Sequence, residues 1–132
     1  MPRAQWPLRN GRPNIEIVLT LALDGKPSPR TLLADTGAGS RQAGFDLILD
    51  EDDCVLCGGL HLFTATLRGA YKGAFPVYSV RVDLPSLGFA KPLRVVGVPA
   101  VPPGLDGIAC FGFLNRFQYG NFGDRDSFGL EA

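Results

Sequence analysis

The chain has 132 residues, with 13 basic and 13 acidic side chains, 17 glycines, 11 prolines and 9 phenylalanines. The length suits a single domain, and the turn-forming and aromatic residues favour an all-β chain. The balanced charge argues against a nucleic-acid partner, because proteins that bind nucleic acids usually carry an excess of basic residues. No apolar run approaches the roughly 20 residues of a transmembrane helix, and the first residues lack the apolar core of a secretion signal, so we expect a cytoplasmic protein with no membrane partner.

The N-terminal part of the chain predicts an arm followed by a hairpin. Residues 1–13 are polar and contain proline and arginine, which indicates a loosely held arm preceding a single domain of residues 14–132. Residues 14–23 alternate between apolar and polar side chains, as is typical of a strand with one buried face. Asp24-Gly25 is the strongest short hairpin signal in the chain, so a return strand should follow it.

The return strand, residues 30–34, is apolar in its second half and ends at Asp35. Small residues follow at once, which predicts a turn directly after a buried strand. A carboxylate in this position costs desolvation free energy unless it is hydrogen-bonded or shares its charge with a partner. We therefore expect Asp35 to have a chemical role; the alternative is a strand-ending aspartate in an ordinary loop.

Residues 41–49 are apolar in their second half and predict a short strand or a helical turn. The acidic run of residues 50–53 predicts a solvated loop. A cation site is the alternative for this run, although the spacing of its acids is not that of a calcium loop.

Cys54, Cys57 and His61 have a Cys-x-x-Cys-x-x-x-His spacing. A structural zinc site needs a fourth ligand and usually a second paired motif, and His61 is the only histidine in the chain. We interpret these cysteines, together with Cys110, as reduced thiols in structural positions, which predicts no metal site. A metal or redox site is the alternative.

Two strand-like runs, residues 60–67 and 75–84, enclose a tip bounded by glycines and predict a hairpin. Pro76 lies inside the second run and indicates that this strand begins at a sheet edge. Further along, the pattern predicts a strand at residues 93–98, an apolar segment at 107–114 and a last strand at 127–131. Residues 118–125 are rich in turn formers.

An apolar strand followed by Asp35-Thr36-Gly37-Ala38, with an apolar-apolar-Gly segment ending at Gly112, resembles the retropepsin-like aspartic proteases, the small single-lobe relatives of pepsin. The resemblance spans residues 15–130. It implies an all-β, retropepsin-like acid-protease fold with closed or partly open barrel-like sheets, a flap hairpin and one short C-terminal helix that starts at residues 114–117. It also implies that residues 107–114 thread beside the Asp35 loop and that the N-terminal arm pairs with the partner's C-terminal strand.

The resemblance implies hydrolysis of peptide bonds by an aspartic endopeptidase. Asp35 would activate the attacking water, Thr36 would fix the loop against its symmetry mate, and Gly37 would let substrate approach the backbone closely. The mechanism needs two carboxylates that share one proton, and the chain carries the motif once, so the resemblance implies a homodimer with one Asp35 from each chain. No metal or organic cofactor is implied.

The partners implied are a second copy of the chain and a peptide or protein substrate held as an extended strand. The residues implied to contact substrate belong to the active-site floor and the flap tip: Ala38, Arg68, Gly69, Ala70 and Tyr71. The family often has a polar residue directly after the glycine matching Gly112, where this chain has Phe113, so we expect packing to replace a polar tie there. The alternative function is a non-catalytic peptide-binding or dimerisation module with the same fold.

Overall fold

The computed structural model describes residues 2–132, and strands make up most of its regular structure. The ten strands of this part of the chain are β1 (Arg3–Pro7), β2 (Asn14–Thr20), β3 (Pro27–Ala34), β4 (Leu47–Asp50), β5 (Leu60–Leu67), β6 (Gly73–Leu84), β7 (Phe89–Val98), β8 (Gly107–Ala109), β9 (Gln118–Gly120) and β10 (Ser127–Glu131). The helices are α1 (Glu51–Leu56), α2 (Phe111–Leu114) and a 3-10 turn at Pro85–Leu87. The prediction of an all-β chain is therefore confirmed.

Six strands form a closed barrel in the order β2-β3-β8-β4-β7-β6, since β2 pairs with both β3 and β6. β5 pairs with β6 outside this ring as a seventh strand. Two of the pairings, β3 with β8 and β4 with β7, are parallel. The β3–β8 pairing places Gly107–Ala109 beside the end of β3, where the apolar segment was predicted to lie.

Side chains alternate between the two faces of the barrel wall, as the two-residue period of a strand requires. In β3, Leu32 and Ala34 belong to a core cluster on one face, which also buries Phe113 and Leu130. Leu33 points to the opposite face and belongs to a second cluster. The second cluster forms the floor of the candidate site described below.

The hairpin predicted at Asp24-Gly25 joins β2 to β3. Gly25 has a φ of 69°, a conformation that glycine adopts without strain. The Asp24 carboxylate accepts a hydrogen bond of 2.9 Å from the backbone N–H of Lys26, which closes the turn. β3 begins at Pro27, earlier than predicted, and pairs with β2 from Pro27 to Leu33.

The prediction of a loosely held arm is wrong for residues 3–7, which form β1. This strand pairs antiparallel with β10, and β9 pairs with the other side of β10, giving a three-stranded sheet within one chain. Ala4 is buried in the first core cluster and Trp6 packs against it. Burial of these apolar side chains holds β1 in place, and both edges of the predicted C-terminal strand are thereby occupied within the chain.

The acidic run of residues 50–53 is not a solvated loop, because it caps and begins α1. The Asp50 side chain accepts a 2.9 Å hydrogen bond from the Asp52 backbone N–H, and acidic side chains in a first helical turn interact favourably with the helix dipole. Asp53 accepts two hydrogen bonds of 2.9 Å from the Arg30 guanidinium. The acids therefore tie α1 to β3.

The short helix near the C-terminus is present but lies earlier than predicted. It covers Phe111–Leu114, whereas the resemblance implied a start at residues 114–117. Burial of Phe113 and Leu114 in the first core cluster explains the shift, because these side chains hold the turn against the barrel. The turn-rich residues 118–125 also contain a strand, β9, which forms because β10 offers it a pairing edge.

Candidate active site

Asp35 directly follows the last residue of β3 and is half-buried. Its backbone N–H donates a 3.0 Å hydrogen bond to the carbonyl of Ala109 in the neighbouring strand β8. One carboxylate oxygen, Oδ1, accepts a 2.9 Å hydrogen bond from the backbone N–H of Gly37. The carboxylate is thus held in one orientation by a rigid strand and by its own loop, as a functional carboxylate requires.

The loop after Asp35 needs small residues. A Cβ atom added to Gly37 would lie 3.2 Å from Asp35 Oδ1, closer than most Cβ contacts. The Ala38 N–H donates to the Asp35 carbonyl at 3.1 Å, and the Ala38 carbonyl accepts from the Phe111 N–H at 2.8 Å. These bonds fix the loop both to itself and to the start of α2.

Asp35 lines a cleft of about 580 Å³, which we call the Asp35 cleft. One wall is the loop of residues 35–40, and the opposite wall comes from the hairpin of β5 and β6. The floor is apolar and includes Phe45, Ile48 and Ile108. All three belong to the second core cluster or pack against it. The cleft therefore combines a carboxylate at its edge with an apolar base, as ligand sites commonly do.

The hairpin of β5 and β6 projects beyond the rest of the sheet. β6 pairs with β7 from Val77 onward, whereas Gly73–Pro76 have only β5 as a neighbour in the described chain. Pro76 thus lies at a sheet edge, as the sequence predicted. Proline has no backbone N–H to donate to a neighbouring strand, which is why it is tolerated at an edge. Gly69 and Gly73 have positive φ values of 89° and 132° at the tip, which glycine tolerates.

The structure brings together nearly all the residues that the resemblance assigned to the site. Those that line the Asp35 cleft are Asp35, Gly37, Ala38, Arg68, Gly69, Ala70 and Tyr71. Thr36, the second residue of the loop, is exposed and does not line the cleft. Segments remote in sequence therefore meet around one carboxylate.

The sequence pattern missed Asp46, which holds one wall of this cleft in place. Asp46 is almost fully buried, and its backbone N–H and carbonyl bond to Arg94 of β7 and Cys110 at 2.8 and 3.0 Å. Its carboxylate accepts a 3.1 Å hydrogen bond from the Arg116 guanidinium. The expectation that packing replaces a polar tie is therefore wrong: Arg116, just after α2, supplies one.

We expect Arg116→Gln to lower the free energy of unfolding by about 1–2 kcal/mol, because it leaves the Asp46 carboxylate without its charged partner. The Arg116 side chain is 41% exposed, which keeps the loss below that of a fully buried pair. Urea denaturation of both proteins measures the change. Arg81→Gln breaks the exposed pair with Asp83 and should cost at most about 0.5 kcal/mol. Equal losses of unfolding free energy in Arg116→Gln and Arg81→Gln would contradict a stabilising role for the Asp46–Arg116 ion pair.

Cys110 lies directly after β8, fully buried in the second core cluster. Burial raises the pKa of its thiol to about 12, and the nearby carboxylates of Asp35 and Asp46 add to the effect. Burial likewise raises the pKa of Cys54 to about 12. Both thiols are therefore protonated and unreactive at neutral pH, which agrees with their interpretation as structural thiols.

We expect the free energy of unfolding to fall as the pH rises from about 9 toward 12. In this window the unfolded chain ionises thiols that the folded chain keeps protonated, so the unfolded state binds fewer protons and gains stability. Each thiol contributes a slope of at most about 1.4 kcal/mol per pH unit. Urea unfolding of wild type and Cys110→Ala under reducing conditions measures this slope. An unchanged slope in the variant would contradict the raised pKa.

The Cys54, Cys57 and His61 spacing does not assemble a metal site in the described chain. Cys54 is buried in the first core cluster, whereas the His61 ring is exposed and lies beside Tyr78 with a 5.8 Å centroid separation. Among residues 2–132, no three side chains of His, Cys, Asp or Glu lie close enough to hold a metal ion together. Burial raises the pKa of Cys57 as well, which disfavours the thiolate that metals bind.

Comparison with known proteins yields no family model, no curated protein and no solved structure that matches the chain. What the Asp35 cleft does is therefore inferred from its own residues. None of the helices within residues 2–132 has the length and apolar character needed to cross a bilayer.

Proposed function

We propose that this chain is a retropepsin-like aspartic endopeptidase that acts as a homodimer, with one Asp35 from each protomer activating the attacking water. The observation that carries the proposal is the position of Asp35, fixed at the end of β3 beside a cleft of about 580 Å³ and facing a projecting hairpin. A carboxylate in such a place has the access and the fixed orientation that proton transfer needs.

The chemistry follows from bringing two such carboxylates together. Two carboxylates about 3 Å apart cannot both ionise, so the pair holds one proton between them. The ionised member takes a proton from water, and the protonated member donates to the carbonyl oxygen of the scissile peptide bond. The hairpin of β5 and β6 acts as a flap, which closes over the peptide and excludes bulk water during the reaction.

The lining of the Asp35 cleft favours a particular class of peptide. Its apolar side chains include Phe45, Phe63 and Leu67, which would bury apolar side chains next to the scissile bond. The backbone of the loop and of β5 offers hydrogen-bonding groups to an extended peptide main chain. We therefore propose extended peptides with apolar residues at the cleavage point as the substrate class.

The proposed dimer contact lies at the Asp35 loops. Thr36 is exposed on this loop, which supports a contact between its side chain and a symmetry-related loop. The sheet of β1, β10 and β9 contributes less directly, because β10 already pairs on both sides within its own chain. A partner strand can join this sheet only at β1 or β9, or by displacing one of them.

The occupied edges of β10 also favour a second candidate function. A chain that completes its own terminal sheet lacks an open C-terminal strand for interleaving with a partner. If it stays monomeric, one Asp35 stands alone and the cleft binds peptide without hydrolysing it. The alternative is therefore a non-catalytic peptide-binding module.

Hydrolysis of a degenerate peptide library between pH 4 and pH 7, with molar mass from light scattering on the same samples, tests the proposal. We expect a dimer that cleaves at apolar sites, with activity greatest on the acidic side of neutral because one proton must remain on the pair. A folded dimer that cleaves nothing at any pH would favour the binding module. Cleavage by a protein that stays monomeric at the assay concentration would refute the shared-carboxylate mechanism.

A further inference from the structure

A second cleft, lined by a pair of arginines, lies next to the Asp35 cleft. Arg9 and Arg12 stand opposite each other in a tight hairpin, with backbone hydrogen bonds of 3.0 and 2.9 Å between them. The two turn residues, Asn10 and Gly11, have φ values of 51° and 74°, the left-handed pair typical of a type I′ turn. Residues directly opposite each other in an antiparallel pair put their side chains on the same face.

The charges of this arginine pair are not neutralised by the described chain. Residues 2–132 contain four ion pairs: Arg3–Glu131, Arg30–Asp53, Arg81–Asp83 and Arg116–Asp46. Arg9 and Arg12 take part in none of them. Like charges directly opposite each other destabilise a hairpin, and a bound anion removes that cost.

The two arginines border a cavity of about 350 Å³, which we call the arginine cleft. The Arg9 guanidinium donates a 3.1 Å hydrogen bond to the Gly104 carbonyl, which fixes its position and leaves its other N–H groups available. Leu33 and Leu105 contribute apolar surface, and no acidic residue lines the cavity. A guanidinium offers a planar set of donors that matches a carboxylate.

Neighbouring residues of the paired strands β3 and β8 line the arginine cleft and the Asp35 cleft. Leu33 lines the arginine cleft and Ile108 lines the Asp35 cleft, and the two residues are direct partners in the β3–β8 pairing. The carbonyl of Pro13 accepts a 3.0 Å hydrogen bond from the N–H of Ala34, so the arginine hairpin ends beside the residue that precedes Asp35. Leu33 and Ile108 also belong to the same core cluster, so the two clefts adjoin on one face of the barrel wall.

We propose that the arginine cleft is a subsite for an acidic side chain of the peptide bound in the Asp35 cleft. The inference rests on the proposed peptide ligand. The arginine pair would hold the carboxylate, and Leu33 and Leu105 would pack against its methylene groups. The ligand class is thus an extended peptide that places an apolar residue beside Asp35 and carries a glutamate or aspartate a short distance further along its own sequence.

Peptide binding to the Asp35→Asn protein tests this assignment without any cleavage. Two pools of blocked pentapeptides, one with glutamate fixed at its centre and one with glutamine, are titrated while NMR records the backbone signals of Gly104 and Leu105 and the side-chain signals of Arg9 and Arg12. We expect the glutamate pool to bind about 5- to 10-fold more tightly, corresponding to one charge-assisted contact, and to shift these signals.

The double variant Arg9→Gln/Arg12→Gln should abolish the preference for glutamate while the glutamine pool binds as before. Arg81→Gln/Lys91→Gln, on the paired strands β6 and β7, removes the same charge elsewhere and should leave the preference unchanged. Equal binding of both pools, or a preference that survives loss of the arginines, would overturn the proposal.

Two further outcomes would also overturn it. Inorganic phosphate that displaces the glutamate pool from the arginines at matching affinity would indicate a general anion site. An increase in molar mass that depends on the arginines, without discrimination between the pools, would assign them to a second copy of the chain. Because binding is measured on protein with Asp35 replaced, a failure to hydrolyse peptides leaves this test intact.

Discussion

Replacing Asp35 with asparagine is expected to lower the rate of peptide hydrolysis by about 10²–10⁴-fold while the protein stays folded. Asparagine occupies nearly the same space and its side-chain oxygen can still accept the hydrogen bond from Gly37, but it cannot take a proton from water. The kcat/KM for peptides selected from the library measures the loss. Circular dichroism and light scattering on the same preparation establish that fold and molar mass are kept.

The matched control is Asp52→Asn, which changes an exposed carboxylate on α1 and should leave the rate unchanged. Mixing wild type with Asp35→Asn adds a test of the shared site, since each mixed dimer would contain one carboxylate only. At equal amounts and random assortment, activity should fall to about one quarter of that of wild type at the same total concentration, and a fall to one half would show that each chain works alone. Hydrolysis that continues undiminished in Asp35→Asn would refute the proposed mechanism.

Gly107→Ala is expected to lower the free energy of unfolding by about 3 kcal/mol or more, or to prevent folding. A Cβ atom at this position would overlap the Ile48 carbonyl oxygen and would lie 2.8 Å from a methyl carbon of Leu49. Gly107 sits in β8 between β3 and β4, so the strands flanking it must separate to admit the methyl group. Urea denaturation, or the yield of folded protein if none survives, measures the effect.

Gly44→Ala provides the control for this substitution. Its added Cβ would lie 3.4 Å from the ring of Phe63, an ordinary contact, so we expect a change of about 0.5 kcal/mol or less. A Gly107→Ala protein as stable as Gly44→Ala would show that β8 is not closely packed between its neighbours. β8 also carries the Ala109 carbonyl that accepts the hydrogen bond from the Asp35 N–H. Such a result would therefore also argue against a fixed position for Asp35.

The pairing of Asp46 with Arg116 is a part of the site that could not be predicted from the sequence. They are 70 residues apart, and each is an ordinary surface-type residue in a stretch with no strong pattern. Their pairing depends on α2 starting at Phe111, which brings the following residues back toward β4. The residues that line the Asp35 cleft were easier to predict, because a strand-ending acid and a glycine-bounded hairpin tip leave local signals.

Several elements follow from local features of the sequence. Alternation predicts β2, Asp24-Gly25 predicts the first hairpin, and the apolar run before Asp35 predicts a carboxylate at a strand end. Three pairings become visible in the folded chain only: the parallel β3–β8 pairing, the closure of β2 on β6, and the pairing of β1 with β10 of the same chain. These pairings join distant residues, and the choice among candidate partner strands depends on which apolar faces bury together in the complete barrel, a property of the whole chain that no local pattern contains.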